Sequence, residues 1–202
     1  MALDPEAGSE PDATTDADPG ADLSPIGLGR ALLLGVVSAV LFGVGLYFTE
    51  LVPEVLTDVD LKPFFIPYLL IAAVPFGIPT LSIAFGGAVG EGFLDIFEGY
   101  ELDDPFGFLG YVFGFFVFGW FLENVAEDPT DRGTLAVAAL LAAFVQALFE
   151  GVALVIFGAE SGPVDAVVSV LGNTVTHGLL LGAVPLVVLY PLLGDWLASR
   201  LY

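Results

Sequence analysis

The chain has 202 residues, 56% of them hydrophobic and 14% charged, with a mean hydropathy of +0.89. A soluble domain carries about 25% charged residues, so this composition excludes an ordinary soluble fold and points to lipid. The 25 acidic residues against 4 basic ones repel nucleic acid and exclude DNA or RNA as a partner. Such a surface repels itself at low salt and is screened by dense counterions, which is the composition of a salt-adapted protein. Cysteine is absent, which excludes disulfides and thiolate metal sites.

Residues 1 to 25 hold seven acidic residues and no basic one, set among Pro, Gly, Ala, Ser and Thr. Such a stretch buries too little apolar area to offset the entropy of ordering, so a disordered acidic tail is expected. It lacks the basic n-region of a cleaved signal peptide. Residues 26 to 202 read as an all-α membrane protein, a compact bundle of about six transmembrane helices. The apolar segments run over about 26–49, 63–77, 79–98, 106–122, 133–158 and 165–198, and several approach the roughly 20 residues that cross a bilayer. The second is short for a span, and "PFGIPT" joins it tightly to the third. The sixth is long enough to tilt or break, with Pro185 and Pro191 as candidate kinks.

Orientation follows from the few basic residues. With an even number of spans Arg30, Arg132 and Arg200 share one side and Lys62 falls on the other. The positive-inside rule then places both termini in the cytoplasm of a multi-pass cell-membrane protein. The expected outer loops are acidic, with Glu50, Glu54, Asp58 and Asp60 in one and Glu101, Asp103 and Asp104 in the next.

Ionisable groups at bilayer depth are costly and face a cavity or the bundle interior. Three polar pairs recur at i, i+4, which sets each pair on one helix face. Glu91 and Asp95 lie on the third segment, with Glu98 on the same face. Gln146 and Glu150 lie on the fifth, and Asn173 and His177 on the sixth. With the termini inside, Glu91, Asp95, Glu150 and Asn173 fall within roughly 5–15 Å of the outer surface at 1.5 Å per residue, and His177 one turn deeper. Three helices thus present polar groups at one depth, as a pocket open to the outside would. Each residue also has a plainer reading. Asp95 and Glu98 can be a solvated helix end, Gln146 and Asn173 interhelical contacts, and His177 a packing residue. Glu91 has no obvious basic partner in the sequence, and Glu150 sits in "AAFVQALFEGVALVIF" with apolar residues on both sides.

A pocket of carboxylates, amides and one imidazole favours a cation or an amine-bearing solute. Phe93, Phe97, Tyr100, Phe106 and Tyr111 lie near it in sequence, and aromatic faces hold cations. Glu91, Asp95, Glu150 and His177 could instead form a carboxylate–imidazole metal site, but one histidine and no cysteine argue against soft metals. No metal or cofactor is expected. The chain has no HExxH, no GxSxG and no GxxxxGK[ST]. In the first segment Ala31, Gly35, Ala39 and Gly43 recur every four residues, a spacing that admits another helix closely. That helix can belong to the same bundle or to a partner protein.

Six apolar segments, the small-residue stripe of the first, and "FGGAVGEGFLDIFEGY" in the third carry a resemblance. The last stretch is similar to a glycine-rich G-x-x-G-x-x-x-x-D region, here Gly86 to Asp95, and "PFGFLGYVFGFFVFG" to a glycine-bearing fourth helix. Over about 26–200 the chain resembles the substrate-binding S component of an energy-coupling factor (ECF) transporter, of haloarchaeal type. It departs in having Gly35 where alanine is usual and Gly87 where proline is frequent. The resemblance implies a small membrane protein that binds a vitamin-like solute from outside, without enzymatic activity. It also implies docking, through the first-helix stripe, onto a T component that carries two ATPases. Two other readings stay open: a stand-alone proton- or cation-coupled transporter, and a structural membrane protein whose polar groups join helices.

Overall fold

A computed structural model describes residues 26–50, 61–99, 103–158 and 162–201, and the expected acidic tail lies outside them. All described regular structure is helical: α1 (Leu28–Glu50), α2 (Phe65–Ala72), α3 (Ile78–Glu98), α4 (Asp104–Asn124), α5 (Arg132–Phe157) and α6 (Pro163–Leu201). Four of them, α1, α4, α5 and α6, are long and apolar enough to cross a membrane. The outer face bears this out. Large apolar side chains such as Val164 and Leu192, 74% and 73% exposed, stand out all round the bundle. A water-soluble monomer does not leave so much apolar surface uncovered. The chain is an all-helical membrane protein.

Glycine contacts set the helix directions. Gly35 of α1 meets Ser82 and Gly86 of α3, and Ala39 and Gly43 meet Gly90, so α1 and α3 run parallel. Gly114 and Gly110 of α4 meet Ala142 and then Phe149 of α5, and Gly151 and Gly178 meet Ala166 and then Leu140 across α5 and α6. Both pairs are antiparallel. The α1–α3 approach is backbone on backbone: a Cβ on Gly86 would lie 2.0 Å from the Gly35 carbonyl oxygen. Lipid gives no hydrophobic drive for helices to associate, so such close van der Waals contact has to supply it. The stripe expected to receive a partner helix is therefore used within the chain. Ala31 is fully buried, and Gly35, Ala39 and Gly43 face α3. One face of the stripe thus packs on α3, which carries the complementary glycines Gly86 and Gly90, while Gly35, Ala39 and Gly43 stay half-buried and line surface grooves between the two helices.

Between the parallel α1 and α3 the chain must return. It does so through α2, which runs inside the bundle rather than across it. Phe64, Tyr68, Leu70 and Ile71 are buried, and α2 touches α1, α3, α4, α5 and α6. Non-helical backbone at this depth is tolerated only where protein surrounds and satisfies it. The end of α2 meets that condition: Ala73 N–H donates to Leu70 O, Val74 N–H to Ile71 O, and the Tyr190 hydroxyl to Ala72 O at 3.2 Å. Gly77, at φ +119°, then turns the chain into α3, a conformation that side chains with a Cβ rarely adopt. Around α2 the core is aromatic. Phe64 meets Phe115 edge-on at 5.1 Å, Tyr68 stacks on Phe118 at 4.4 Å, and Phe42 meets Phe115 edge-on at 5.5 Å. Such pairs are worth about 0.5–1.5 kcal/mol each beyond their area.

The sixth segment does not break. It stays one helix of 39 residues whose turns widen to a π-helical form over Thr174–Ala183, just before Pro185. The Val184 N–H donates to Leu179 O, a five-residue step. Widening brings the His177 carbonyl to 2.4 Å from where a Gly182 Cβ would lie, so only glycine fits there. At the far end Arg30 donates to the Arg200 carbonyl at 3.2 Å, which brings the start of α1 and the end of α6 together.

Candidate functional site

At the end of the bundle opposite those termini, the last turns of α3 and α5 meet the first turns of α4 and α6. The residues before α2 join them. A cavity of about 280 Å³ opens here, lined by Lys62, Glu91, Asp95, Asp103, Asp104, Phe108, Tyr111, Glu150, Ser169 and Asn173, among others. Five carboxylates thus face one ammonium.

Its floor is a connected polar network. The Lys62 ammonium donates to Glu91 at 2.7 Å and to the Tyr111 hydroxyl at 2.6 Å, and stands 3.8 Å from Glu150. Tyr111 donates onward to Glu91 at 2.9 Å, with Glu150 3.5 Å away. Glu150 is held from the other side by Asn173, whose amide donates at 2.8 Å, and by a short hydrogen bond from Gln146. Two carboxylates, one ammonium and three neutral dipoles therefore share one site. The side chains of Lys62, Glu91 and Glu150 are 14%, 13% and 21% exposed, so the charged trio is sheltered yet reachable from the cavity. Charge-assisted bonds of this kind are about twice as strong as neutral ones.

Among the described residues, the buried amide oxygens of Asn173 and Gln146 have no donor. Asn173 is 5% exposed and lines the cavity. An unsatisfied buried polar atom costs about 1–3 kcal/mol. Below this level Phe64, Tyr68 and Phe115, all fully buried, close the bundle. The cavity is one-sided.

Four of the seven residues singled out in the sequence line this cavity: Glu91, Asp95, Glu150 and Asn173. Gln146 is fully buried one layer below and acts on Glu150. His177 is also fully buried and lies deeper, its ring 4.8 Å from that of Phe64, so it does not face the cavity. The side chain of Glu98 lies outside the described residues. The expectation that Glu91 lacks a basic partner is corrected by Lys62. Sequence placed this lysine in an outer loop, but the inward path of α2 carries its ammonium to the floor. Asp103 and Asp104, read as loop acids, stand at the cavity wall. The one available signal for Lys62 was its place as the only lysine, immediately before the apolar run "PFFIPYLLIAAV". Among the described residues no three His, Asp or Glu side chains converge to hold a metal ion.

Comparison with protein-family models, with characterised proteins and with solved structures gives no match to this chain. What the chain does must therefore be argued from the cavity.

Proposed function

We propose that the chain binds a cationic or amine-bearing small molecule in this cavity and serves as the substrate-binding subunit of a membrane importer. The observation that carries the binding step is the excess of carboxylate over ammonium around a sheltered cavity. A bound ammonium would sit among the wall carboxylates. The importer role, with a T component and two ATPases as partners, rests on the sequence resemblance alone. α3 already packs on one face of the α1 stripe, so a partner would meet the half-buried edge that Gly35, Ala39 and Gly43 leave at the surface. Arg30, Arg132 and Arg200 sit at or beyond helix ends on the terminal side, which supports cytoplasmic termini and an outward cavity. On this reading the chain performs no chemistry on its solute.

The test is a thermal-shift series on the purified protein at high salt, using n-propylammonium, polyamines and amine-bearing micronutrients. A ligand at 100 times its Kd should stabilise the native state by about 2.7 kcal/mol. The shift should vanish in Glu150→Gln, with unliganded stability measured alongside. Shifts equal in the wild type and Glu150→Gln would sink the proposal.

A second reading has its own support. The unbroken hydrogen-bond chain from Lys62 through Glu91 and Tyr111, with Glu150 and Gln146 beside it, is what a proton- or cation-coupled transporter acting alone would use. It predicts that an imposed pH gradient drives amine uptake into liposomes holding only this chain.

A further inference from the structure

A cavity of about 280 Å³ is small for a whole organic solute, since ligand sites generally span about 300–1,000 Å³. It suits a head group. What adjoins it is an apolar groove of about 640 Å³ on the outer face between α3 and α4. Asp95, Asp104 and Phe108 line both spaces, so the carboxylates stand where cavity and groove meet. From there the groove is walled by Val89, Phe93, Ile96 and Leu109, all exposed on the surface that faces lipid.

The two helices are not pressed together at this height. A Cβ on Gly92 would meet only Phe108 at 3.9 Å and Asp95 at 4.0 Å, which is ordinary contact. On the α1 side of the same helix, Gly86 and Gly90 permit backbone contact. Gly92 has no such packing duty, and its missing side chain leaves the groove open. Charge separates this groove from its neighbours. The two grooves between α1 and α3 are lined without a single carboxylate, and suit plain acyl chains. Only a ligand with a positive head gains from lying across Asp95 and Asp104.

We infer that the solute is an amphiphile, a primary ammonium head seated in the carboxylate cavity with an alkyl tail lying in the α3–α4 groove. This rests on the binding reading above and specifies its substrate class. The tail would reach the groove from the bilayer, so the site is loaded from the lipid side as well as from water. The cavity supplies recognition through charge, and the groove supplies length tolerance through non-directional contact.

The test compares n-propylammonium, n-decylammonium and n-decyl sulfate by calorimetric titration. The full chain is held in phosphatidylcholine nanodiscs, and empty nanodiscs are titrated to subtract partitioning. Gly92→Leu fills the groove from α3, and Leu109→Trp fills it from α4 as a second variant should the first fail to fold. The expected result is propylammonium affinity unchanged in either variant and decylammonium affinity lowered at least tenfold. Decylammonium binding equally to wild type and a folded variant would overturn the inference while leaving the cavity reading intact. So would decyl sulfate matching decylammonium, which would make the groove a plain lipid contact. Failure of both ammonium ions to bind the wild type would overturn the cavity reading and this inference together.

Discussion

Lys62→Met removes the ammonium of the cavity floor and keeps most of its apolar stem. The native ammonium stands 2.7 Å from Glu91 and 3.8 Å from Glu150, and donates to Tyr111 at 2.6 Å. Its loss leaves the Glu91 and Glu150 carboxylates beside the Tyr111 hydroxyl without the ammonium they share. Truncating one member of a buried ion pair costs about 3–5 kcal/mol, whereas an exposed pair is worth about 0–1 kcal/mol. The three side chains are 14%, 13% and 21% exposed, which places the expected loss near about 3 kcal/mol. Most of that is the stranded charge, so adding Glu91→Gln should return a large part. A double-mutant cycle over Lys62 and Glu91 should therefore show coupling of about 1–3 kcal/mol. Equilibrium unfolding in mixed micelles at fixed high salt measures it, with near-ultraviolet circular dichroism as the probe. A loss below about 1 kcal/mol, or purely additive single and double variants, would show that Lys62 is an ordinary surface lysine and refute the reasoning.

Other perturbations follow from the same geometry. Gly86→Ala places a methyl 2.0 Å from the Gly35 carbonyl oxygen, so α1 and α3 must separate. The expected loss is about 3 kcal/mol or more, and a melting temperature equal to wild type would contradict the close approach. Asp128, in the exposed turn between α4 and α5, accepts from the Thr130 hydroxyl at 2.6 Å and its N–H at 2.9 Å. These bonds hold its carboxyl below the ordinary range. The stability it adds is present above the unfolded-state pKa and is lost as pH falls through the lower native one. A carboxyl-carbon NMR titration should show that low midpoint. Replacing Thr130 with Val should move it back towards an ordinary aspartate.

The polar face of each helix was legible in the sequence because helical periodicity records which residues share a face and how far each lies from the helix end. That is why Glu91, Asp95, Glu150 and Asn173 can be placed at one depth from the sequence. The same rule set His177 one turn deeper, and the structure puts it beneath the cavity. The bounds of α1, α4 and α5 were legible for a related reason: long apolar runs bounded by Pro, Gly and acidic residues can only be helices in lipid. Other features were not. Lys62 read as a loop residue because nothing local records that α2 turns inward. The small-residue stripe of α1 read equally well as an inner or an outer contact, since spacing alone does not name the helix that meets it. Pro185 stood out in the sequence, but the π-helical widening just before it did not.

By itself, then, the sequence determined the environment, the helical class, the number of apolar segments and the depth of the polar groups. Each follows from composition or from periodicity along one helix. Tertiary structure alone decided which helices touch, and so which charge meets which. The pairing of Lys62 with Glu91, the closure of α1 on α3 at Gly86, and the junction of cavity and groove at Asp95 and Asp104 all join segments distant in sequence. Their energies depend on rotation and contact between helices, quantities that no single stretch of chain contains.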